Sequence, residues 1–219
     1  MPAPQILILT AVQIEAKAVA KSLRLTRRGE GWTDANGAIN LRMIGICGKR
    51  LSSVDSSPAP KYVILAGLAG ALDPSLRVGD VVLDDGPADL RTAFPGKYGK
   101  IHSTTKIVAT VQEKAELFDR TGALAVEMEA HIIRPWVAKI GAQFISIRAI
   151  SDSASQSLDP RLLRIVDDLG RARLLRLALE LLKRPISVLP GLFRLAIDSQ
   201  RAARELGKAV AYIVSQVKG

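Results

Sequence analysis

Three acidic positions come where apolar runs typical of buried strands end. Glu15 lies shortly after the first such run, Glu129 closes a Val-Glu-Met-Glu block, and Asp152 follows the last run. In a parallel sheet these are the places where the sheet opens to its ligand. Each acid taken singly also fits a helix N-cap or a first-turn acid that interacts with the helix dipole. The three together favour catalysis, because positioned carboxyl groups can donate and accept protons.

The elements that must position these acids alternate between strand and helix patterns. Continuous apolar runs predict strands buried on both faces, at residues 6–9, 39–44, 62–66, 78–83, 124–127 and 144–150. Helical spacing predicts helices at 14–23 and 128–140. This order predicts an α/β fold with a mixed, largely parallel central sheet flanked by helices.

One predicted connection is unusually short. A crossover between parallel strands usually takes a dozen or more residues and includes a helix. Between Gly48 and Tyr62 only about two helical turns fit before Pro58. Either the crossover is truncated or residues are missing from the chain, and the sequence leaves both open.

The composition excludes several classes of protein. In 219 residues, 48% are hydrophobic and 24% are charged, which excludes general disorder. A single cysteine, Cys47, excludes an internal disulfide framework, and with only His102 and His131 we expect no metal site. No apolar stretch reaches the roughly 18 residues of a membrane span, and no basic signal region opens the chain. We therefore expect a cytoplasmic protein.

The C-terminal quarter is basic and helical in pattern. Residues 161–219 contain twelve Lys and Arg against five Asp and Glu, a surplus of seven within a net charge of +10. Asp159 followed by Pro160 predicts a helix start, and the apolar face continues to Lys183. Pro185 and Pro190 then punctuate the chain before a helical segment at 191–217. We expect a catalytic domain at 1–184 and a basic helical extension at 185–219.

Four segments in this order resemble the nucleoside phosphorylase and nucleosidase superfamily: residues 8–15, 67–80, 125–130 and 147–152. The first acid and the Val-Glu-Met-Glu block are most similar to methylthioadenosine/S-adenosylhomocysteine nucleosidases. Residues 109–119 and the Pro-rich basic tail are similar to the hopanoid-associated phosphorylases, for which removal of adenine from adenosylhopane has been proposed. The resemblance covers about residues 5–155. It implies an enzyme that breaks the N-glycosidic bond of an adenine nucleoside.

The resemblance also implies roles for the three acids. Asp152 matches the acid that protonates the departing purine. To donate this proton Asp152 must be neutral, and a poorly solvated pocket would keep it so. Glu129 matches the acid that accepts hydrogen bonds from the ribose hydroxyls and favours positive charge on the sugar. Glu15 matches the acid that orients the attacking water.

Further substrate-binding residues follow from the same resemblance. Leu68, Ala69 and Gly70 fall at the substrate-binding turn of the family, where small residues let the backbone approach a ligand. Leu68 stands where the nucleosidases have a serine, which indicates a more apolar pocket. The remaining candidates are Glu127, Met128 and Ser151 beside the acids, and Cys47. Met128 is expected to pack on the ribose or to be a core residue, and the adenine-stacking wall of the pocket has no assigned counterpart.

Water and phosphate are both open as acceptors of the sugar. Phosphate needs a cradle of backbone N–H groups and cations, and the loop at 10–17 contains an acid and no glycine, which favours water. The segment 45–50, Gly-Ile-Cys-Gly-Lys-Arg, is Gly-bearing and basic and fits either an anion site or a plain turn. No metal or organic cofactor is expected, with phosphate as the alternative co-substrate.

The expected partners are a small-molecule or lipid-linked adenine nucleoside and a second copy of the chain, in a homodimer. The basic C-terminal helices are compatible with peripheral contact at the inner face of a membrane, or with packing on the domain or a second subunit. A small purine nucleoside as substrate of a phosphorylase, and a non-catalytic nucleotide-binding module, remain as alternatives. We expect no nucleic-acid partner, since two Trp, three Tyr and four Phe leave few residues for stacking.

Overall fold

A computed structural model describes residues 5–158 and 185–218 of the chain. Ten strands form one sheet: β1 (Ile6–Thr10), β2 (Thr26–Arg28), β3 (Gly31–Thr33), β4 (Ile39–Met43), β5 (Tyr62–Ala71), β6 (Val81–Asp85), β7 (Lys97–Tyr98), β8 (Ile101–Ser103), β9 (Ala125–Glu127) and β10 (Gln143–Asp152). Their order is β2-β3-β4-β1-β5-β10-β6-β7, and β9 pairs with β5 and β8. The central strands β4, β1, β5 and β10 are parallel, while β6 runs antiparallel to β10.

Helices cover both faces of this sheet. Within residues 5–158 and 185–218 the α-helices are α1 (Gln13–Ser22), α2 (Ala88–Ala93), α3 (Val111–Thr121), α4 (Ala130–Ile140) and α5 (Pro185–Val217). Alternate residues of β1 face opposite sides: Ile6 and Ile8 pack with α1 and α5, and Leu7 and Leu9 pack with α4. This two-sided burial is what makes the central strands continuously apolar. The expectation of an α/β fold with a mixed, largely parallel sheet is confirmed.

Several predicted boundaries differ from the observed ones. The strand predicted at 62–66 continues to Ala71, so Leu68, Ala69 and Gly70 lie inside β5 and not in a turn. Pairing with both β10 and β9 extends the strand over this Gly- and Ala-rich stretch. The strand predicted at 78–83 begins three residues later and ends at Asp85. The helix predicted from Asp159 to Lys183 lies outside the described residues.

The connection from β4 to β5 contains no α-helix. It has two three-residue 3-10 helices, Ile46–Gly48 and Leu51–Ser53, followed by irregular chain to Tyr62. The connection in this chain is therefore short and has no α-helix, and both explanations offered for its length stay predictions.

The last helix belongs to the main core over its second half. Leu206, Val210 and Ile213 are fully buried, in the same cluster as Ile6 and Ile8 of β1. The helix begins at Pro185 and continues through Pro190, which was expected to interrupt it. Among the described residues, no helix is long and apolar enough to cross a membrane. The division at residue 184 stays a prediction.

Candidate active site

A cavity of about 240 Å³ opens where β1, β5 and β10 end and β9 crosses the end of β5. Nine of the ten residues predicted from the sequence line it: Glu15, Leu68, Ala69, Gly70, Glu127, Met128, Glu129, Ser151 and Asp152. The tenth, Cys47, is outside the lining but donates its backbone N–H to Glu129 Oε1 at 3.1 Å. The structure thus brings the predicted acids together at one site, while their individual roles stay predictions.

Glu15 serves both its own helix and the cavity. It is the third residue of α1, and its Oε2 accepts the N–H groups of Ala11 and Val12, each at 2.9 Å. These hydrogen bonds cap the N-terminus of the helix. Its Oε1 accepts the N–H of Leu68 at 2.8 Å. Burial raises the pKa of Glu15, although these hydrogen bonds and the charge of Arg148 oppose the shift. A buried carboxyl with a raised pKa suits a group that must take up a proton.

Glu127 and Glu129 both line the cavity, but they differ in their hydrogen-bond and ion-pair partners. Both Glu127 carboxylate oxygens accept backbone N–H groups at the start of α4, from Glu129 at 3.0 Å and Ala130 at 3.1 Å. Glu127 also forms an ion pair with Arg148. Burial alone would raise the pKa of Glu127, but Arg148 and these hydrogen bonds outweigh it and hold the pKa below its usual value. The Glu127 side chain therefore caps the start of α4 as well as lining the cavity.

Glu129 is the acid of this pair that remains titratable. Its carboxylate accepts the N–H of Cys47 and lies 3.6 Å from Arg148 Nη2. Burial, with smaller contributions from the charges of Glu127 and Glu15, raises its pKa to about 7 against the attraction of Arg148. Glu129 thus changes charge in the neutral range.

Arg148 is the cation around which these acids gather, and the sequence interpretation gave it no role. It lies in β10, it is 1% exposed, and its pKa is raised because the attraction of Glu127, Glu129 and Glu15 exceeds the effect of burial. A signal was present: Arg148 interrupts the apolar run 144–150, and an arginine buried in a strand needs a charged partner. Gly67 makes room for it, since a Cβ there would lie 2.5 Å from Arg148 Nη1.

Asp152 ends β10 beyond a break in the strand register. The pairing of β10 with β5 shifts between Ile150 and Asp152, which leaves Ser151 as the extra residue of a bulge. The Ser151 hydroxyl donates to Asp152 Oδ1 at 2.8 Å. On the other oxygen, Oδ2, Asp152 accepts a hydrogen bond from Lys114 Nζ at 2.6 Å. Asp152 is buried as expected, but it forms an ion pair with a buried cation.

Lys114 is the second buried cation that the sequence interpretation missed. It lies on α3, a helix that was not predicted, although Thr110 and Glu113 form a capping box at its start. The Thr110 hydroxyl accepts the N–H of Glu113 at 3.1 Å, and Glu113 accepts the N–H of Thr110 at 2.9 Å. That Thr-x-x-Glu pattern was the available signal for the helix, and the helix brings Lys114 to Asp152.

The wall of the cavity that had no assignment comes from the loop after β8. This loop contributes Thr104, Lys106, Ile107 and Val108, and Leu158 lies beside them. Leu158 donates its N–H to the carbonyl oxygen of Ala109 at 2.7 Å, which holds the two segments together. The wall is thus mainly aliphatic, and no aromatic side chain of the described residues lines the cavity.

The Gly-bearing segment 45–50 turns sharply next to Glu129. Gly45, Cys47 and Gly48 have φ values of 73°, 55° and 63°, in the left-handed region. The N–H of Cys47 is donated to Glu129, that of Gly48 to the carbonyl oxygen of Gly45 and that of Arg50 to the carbonyl oxygen of Ile44. Three N–H groups of this segment are therefore already engaged, which leaves fewer for an anion.

The titratable side chains do not assemble into a metal site. Within residues 5–158 and 185–218, no group of three or more His, Cys, Asp or Glu residues has the arrangement of metal ligands. His131 Nδ1 instead lies 2.9 Å from the Ser103 hydroxyl.

Comparisons with known proteins agree with this architecture. The family model described as phosphorylase superfamily matches residues 88–183. The 5′-methylthioadenosine/S-adenosylhomocysteine nucleosidases of Staphylococcus aureus strains JH9 and Newman are 31% identical over 134 residues, covering 44% of this chain and 58% of theirs. The chain thus spans less than two thirds of the curated relatives that it matches.

Solved structures match over almost the whole chain. The same type of nucleosidase from Neisseria meningitidis, in complex with methylthio-immucillin-A, has a TM-score of 0.66 at 20% identity, covering 97% of this chain and 99% of that one. The Helicobacter pylori nucleosidase gives 0.65 at 16% identity, covering 99% and 100%. Futalosine hydrolase of Helicobacter pylori gives 0.63 at 16%, covering 96% and 97%. The protein has the fold of the methylthioadenosine/S-adenosylhomocysteine nucleosidases.

Proposed function

We propose that this protein cleaves the N-glycosidic bond of an adenine nucleoside, with water as the acceptor of the sugar. The observation that carries the proposal is the convergence of Glu15, Glu129 and Asp152 on one cavity of about 240 Å³. Nucleosidases with the same fold and a partly matching sequence support the choice of reaction.

The proposed roles follow from the needs of the reaction. As the bond from the sugar to the purine breaks, positive charge develops on the sugar and negative charge on the purine. Glu129, when ionised, accepts the ribose hydroxyls and stabilises the positive charge. Asp152 delivers a proton to the purine, and Glu15 accepts a proton from the attacking water. The raised pKa of Glu15 matches that last task.

The surroundings of the acids favour water over phosphate. Glu15, Glu127, Glu129 and Asp152 line the same small cavity, where a phosphate dianion would meet several carboxylates. The N–H groups of Cys47, Gly48 and Arg50 are engaged within the protein, as described above. Phosphate as a co-substrate therefore stays the less favoured alternative.

The aliphatic lining favours an apolar group on the 5′ side of the nucleoside. Ile46, Leu68, Ile107, Val108 and Leu158 all border the cavity, and Ile107 is 46% exposed at its edge. This wall supports adenosylhopane, which the resemblance to the hopanoid-associated branch suggests, over nucleosides with a polar 5′ group.

Contact with a membrane and dimer formation remain proposals. The apolar residues of α5 that an interfacial helix would insert, including Leu206, Val210 and Ile213, are buried against β1 and α1. A membrane contact would therefore have to use other residues of the basic C-terminal region, while the second half of α5 stays packed in the core. The cytoplasmic location also stays a prediction.

Release of free adenine tests the proposal directly. The full-length protein is incubated with methylthioadenosine, adenosine and a 5′-alkyl adenosine, with and without inorganic phosphate, and products are separated by liquid chromatography. We expect adenine and the free sugar without phosphate. Asp152→Asn, which cannot donate the proton, should lower kcat by about 10²–10⁴-fold. The matched control is Asp119→Asn, at an exposed position of α3, which should keep full activity.

The outcomes separate the alternatives. Adenine release that depends strictly on phosphate, with a sugar phosphate as product, would replace hydrolysis by phosphorolysis. No release from any of the three nucleosides, with binding retained, would identify a nucleotide-binding module. Equal rates for adenosine and the 5′-alkyl adenosine would contradict the preference for an apolar 5′ group.

A further inference from the structure

Lys114 is a fully buried cation whose N–H donors all have acceptors in the segment 152–156. Its side chain is 0% exposed, and its Nζ donates to Asp152 Oδ2 at 2.6 Å and to the carbonyl oxygens of Ser153 and Gln156, both at 2.8 Å. An ammonium group has three N–H donors, and here each has an acceptor. Lys114 does not line the cavity and touches it only through Asp152.

The ion pair with Lys114 affects how Asp152 can supply a proton to the purine. A neutral carboxylic acid could give its proton directly to the purine, but an ammonium at 2.6 Å stabilises the carboxylate instead. The proton that the departing purine needs must then come from the pair as a whole. Three acceptors surround Lys114 Nζ, an arrangement that suits an ammonium carrying this proton before the reaction.

We propose that Lys114 is the positioning residue of Asp152 and the reserve from which Asp152 is protonated during the reaction. This inference rests on the proposed function. A proton passes from Lys114 Nζ to the Asp152 carboxylate, and Asp152 passes a proton to the purine. The bond from the sugar to the purine breaks, and its electron pair stays on the purine. Water attacks the sugar carbon and gives one proton to Glu15. After the purine leaves, Glu15 releases this proton to solvent, and solvent returns a proton to Lys114.

Most other charged groups of the site interact with Arg148 and not with Lys114. Arg148 on β10 is paired with Glu127 and lies 3.6 Å from Glu129, and Glu15 comes from α1. On the remaining wall, Lys106 lines the cavity from the loop after β8. Among the described residues, Lys114 is the cation that forms an ion pair with Asp152.

The dependence of kcat on pH tests this proposal. In Lys114→Met the unbranched side chain is one atom shorter and has no proton to give, so Asp152 must itself be protonated from solvent. We expect kcat for adenine release to fall by about 100-fold or more relative to wild type at pH 9, and by less than about tenfold at pH 6. The ratio of variant to wild type at each pH cancels the titration of Glu129 and Glu15, which both proteins share.

Two further variants separate proton supply from packing and charge. Lys114→Arg keeps the charge, but a guanidinium does not give up its proton, so kcat at pH 9 should stay low. The control is Lys100→Met: Lys100 Nζ also holds α3, through the carbonyl oxygen of Thr121 at 3.2 Å, but lies at its far end and is exposed. It should leave the pH profile unchanged.

Failure of the inference can be told apart from failure of the proposed function. If wild type releases no adenine, the function is wrong. If wild type is active and Lys114→Met loses the same factor at every pH, or Lys114→Arg regains wild-type kcat at pH 9, the proton reserve is wrong. A measurement independent of activity uses ¹³C-labelled aspartate, with Asp152→Asn to assign the signal. The Asp152 carboxyl of wild type should show the chemical shift of a carboxylate at pH 7, and the shift of a neutral carboxyl would overturn the inference even if Lys114→Met does not fold.

Discussion

The site contains two buried cations that are used differently. Arg148 is shared among Glu127, Glu129 and Glu15, whereas Lys114 is paired with Asp152 alone. Burial is the main cause that raises the pKa of Glu129 to about 7 and also raises the pKa of Glu15, and one arginine shared among three acids does not offset it. One acid against one lysine is balanced. The shared cation thus lies beside two acids whose pKa values are raised, whereas the dedicated cation forms an ion pair with a single acid.

Removal of the shared cation should have the largest effect on stability. Arg148→Met leaves Glu127 and Glu129 buried without a counter-charge, and breaking a buried pair from one side typically destabilises by about 3–5 kcal/mol. The free energy of unfolding in urea at pH 7.5 measures this loss. The control is Arg134→Met, which breaks a half-exposed pair with Asp84 and Asp85 and should cost about 0–1 kcal/mol. Equal losses for the two variants would mean that the acids around Arg148 are solvated.

The acids that share Arg148 should make stability depend on pH. The folded pKa of Glu129, about 7, exceeds its ordinary value of 4.5, so the folded state binds more protons between these values. The free energy of unfolding should therefore fall as pH rises from about 4.5 to 7, by roughly 3 kcal/mol from this group. Urea unfolding at pH 5 and pH 8 tests it, with Glu129→Gln as the control that removes the titration. A wild type whose stability changes no more than that of Glu129→Gln would contradict the assignment.

Alanine substitutions at two glycines of β5 compare how easily the neighbouring charged side chains, Arg148 and Asp152, can move. An added Cβ at Gly67 would lie 2.5 Å from Arg148 Nη1 and 3.2 Å from Glu15 Oε1, whereas at Gly70 it would lie 3.0 Å from Asp152 Oδ2. Because Arg148 is held on several sides, Gly67→Ala should destabilise by about 1–3 kcal/mol, and Gly70→Ala by about 1 kcal/mol or less. Thermal unfolding ranks the two. The opposite ranking would show that Arg148 moves aside more easily than Asp152.

The sequence predicted the acids better than it predicted their partners. Glu15 and Asp152 follow or end β1 and β10, whose parallel order with β5 brings strand ends to one edge, so the meeting of these two acids was predictable. Glu129 follows β9, which runs antiparallel to β5, so this rule does not explain its position. Lys114 was not assigned a role because α3 was not predicted, and its distance from Asp152 is a property of how that helix packs. The extension of β5 through Gly70 was missed because its pairing with β9 involves residues distant in the chain.

What the sequence alone determined is the α/β class, the central strands and the set of acids, because apolar periodicity and residue type are local properties of the chain. Only the tertiary structure decided the charge of each acid. Burial and the distance to a cation set that charge, and both depend on contacts between segments that are far apart in sequence, such as Lys114 with Asp152 and Arg148 with Glu15.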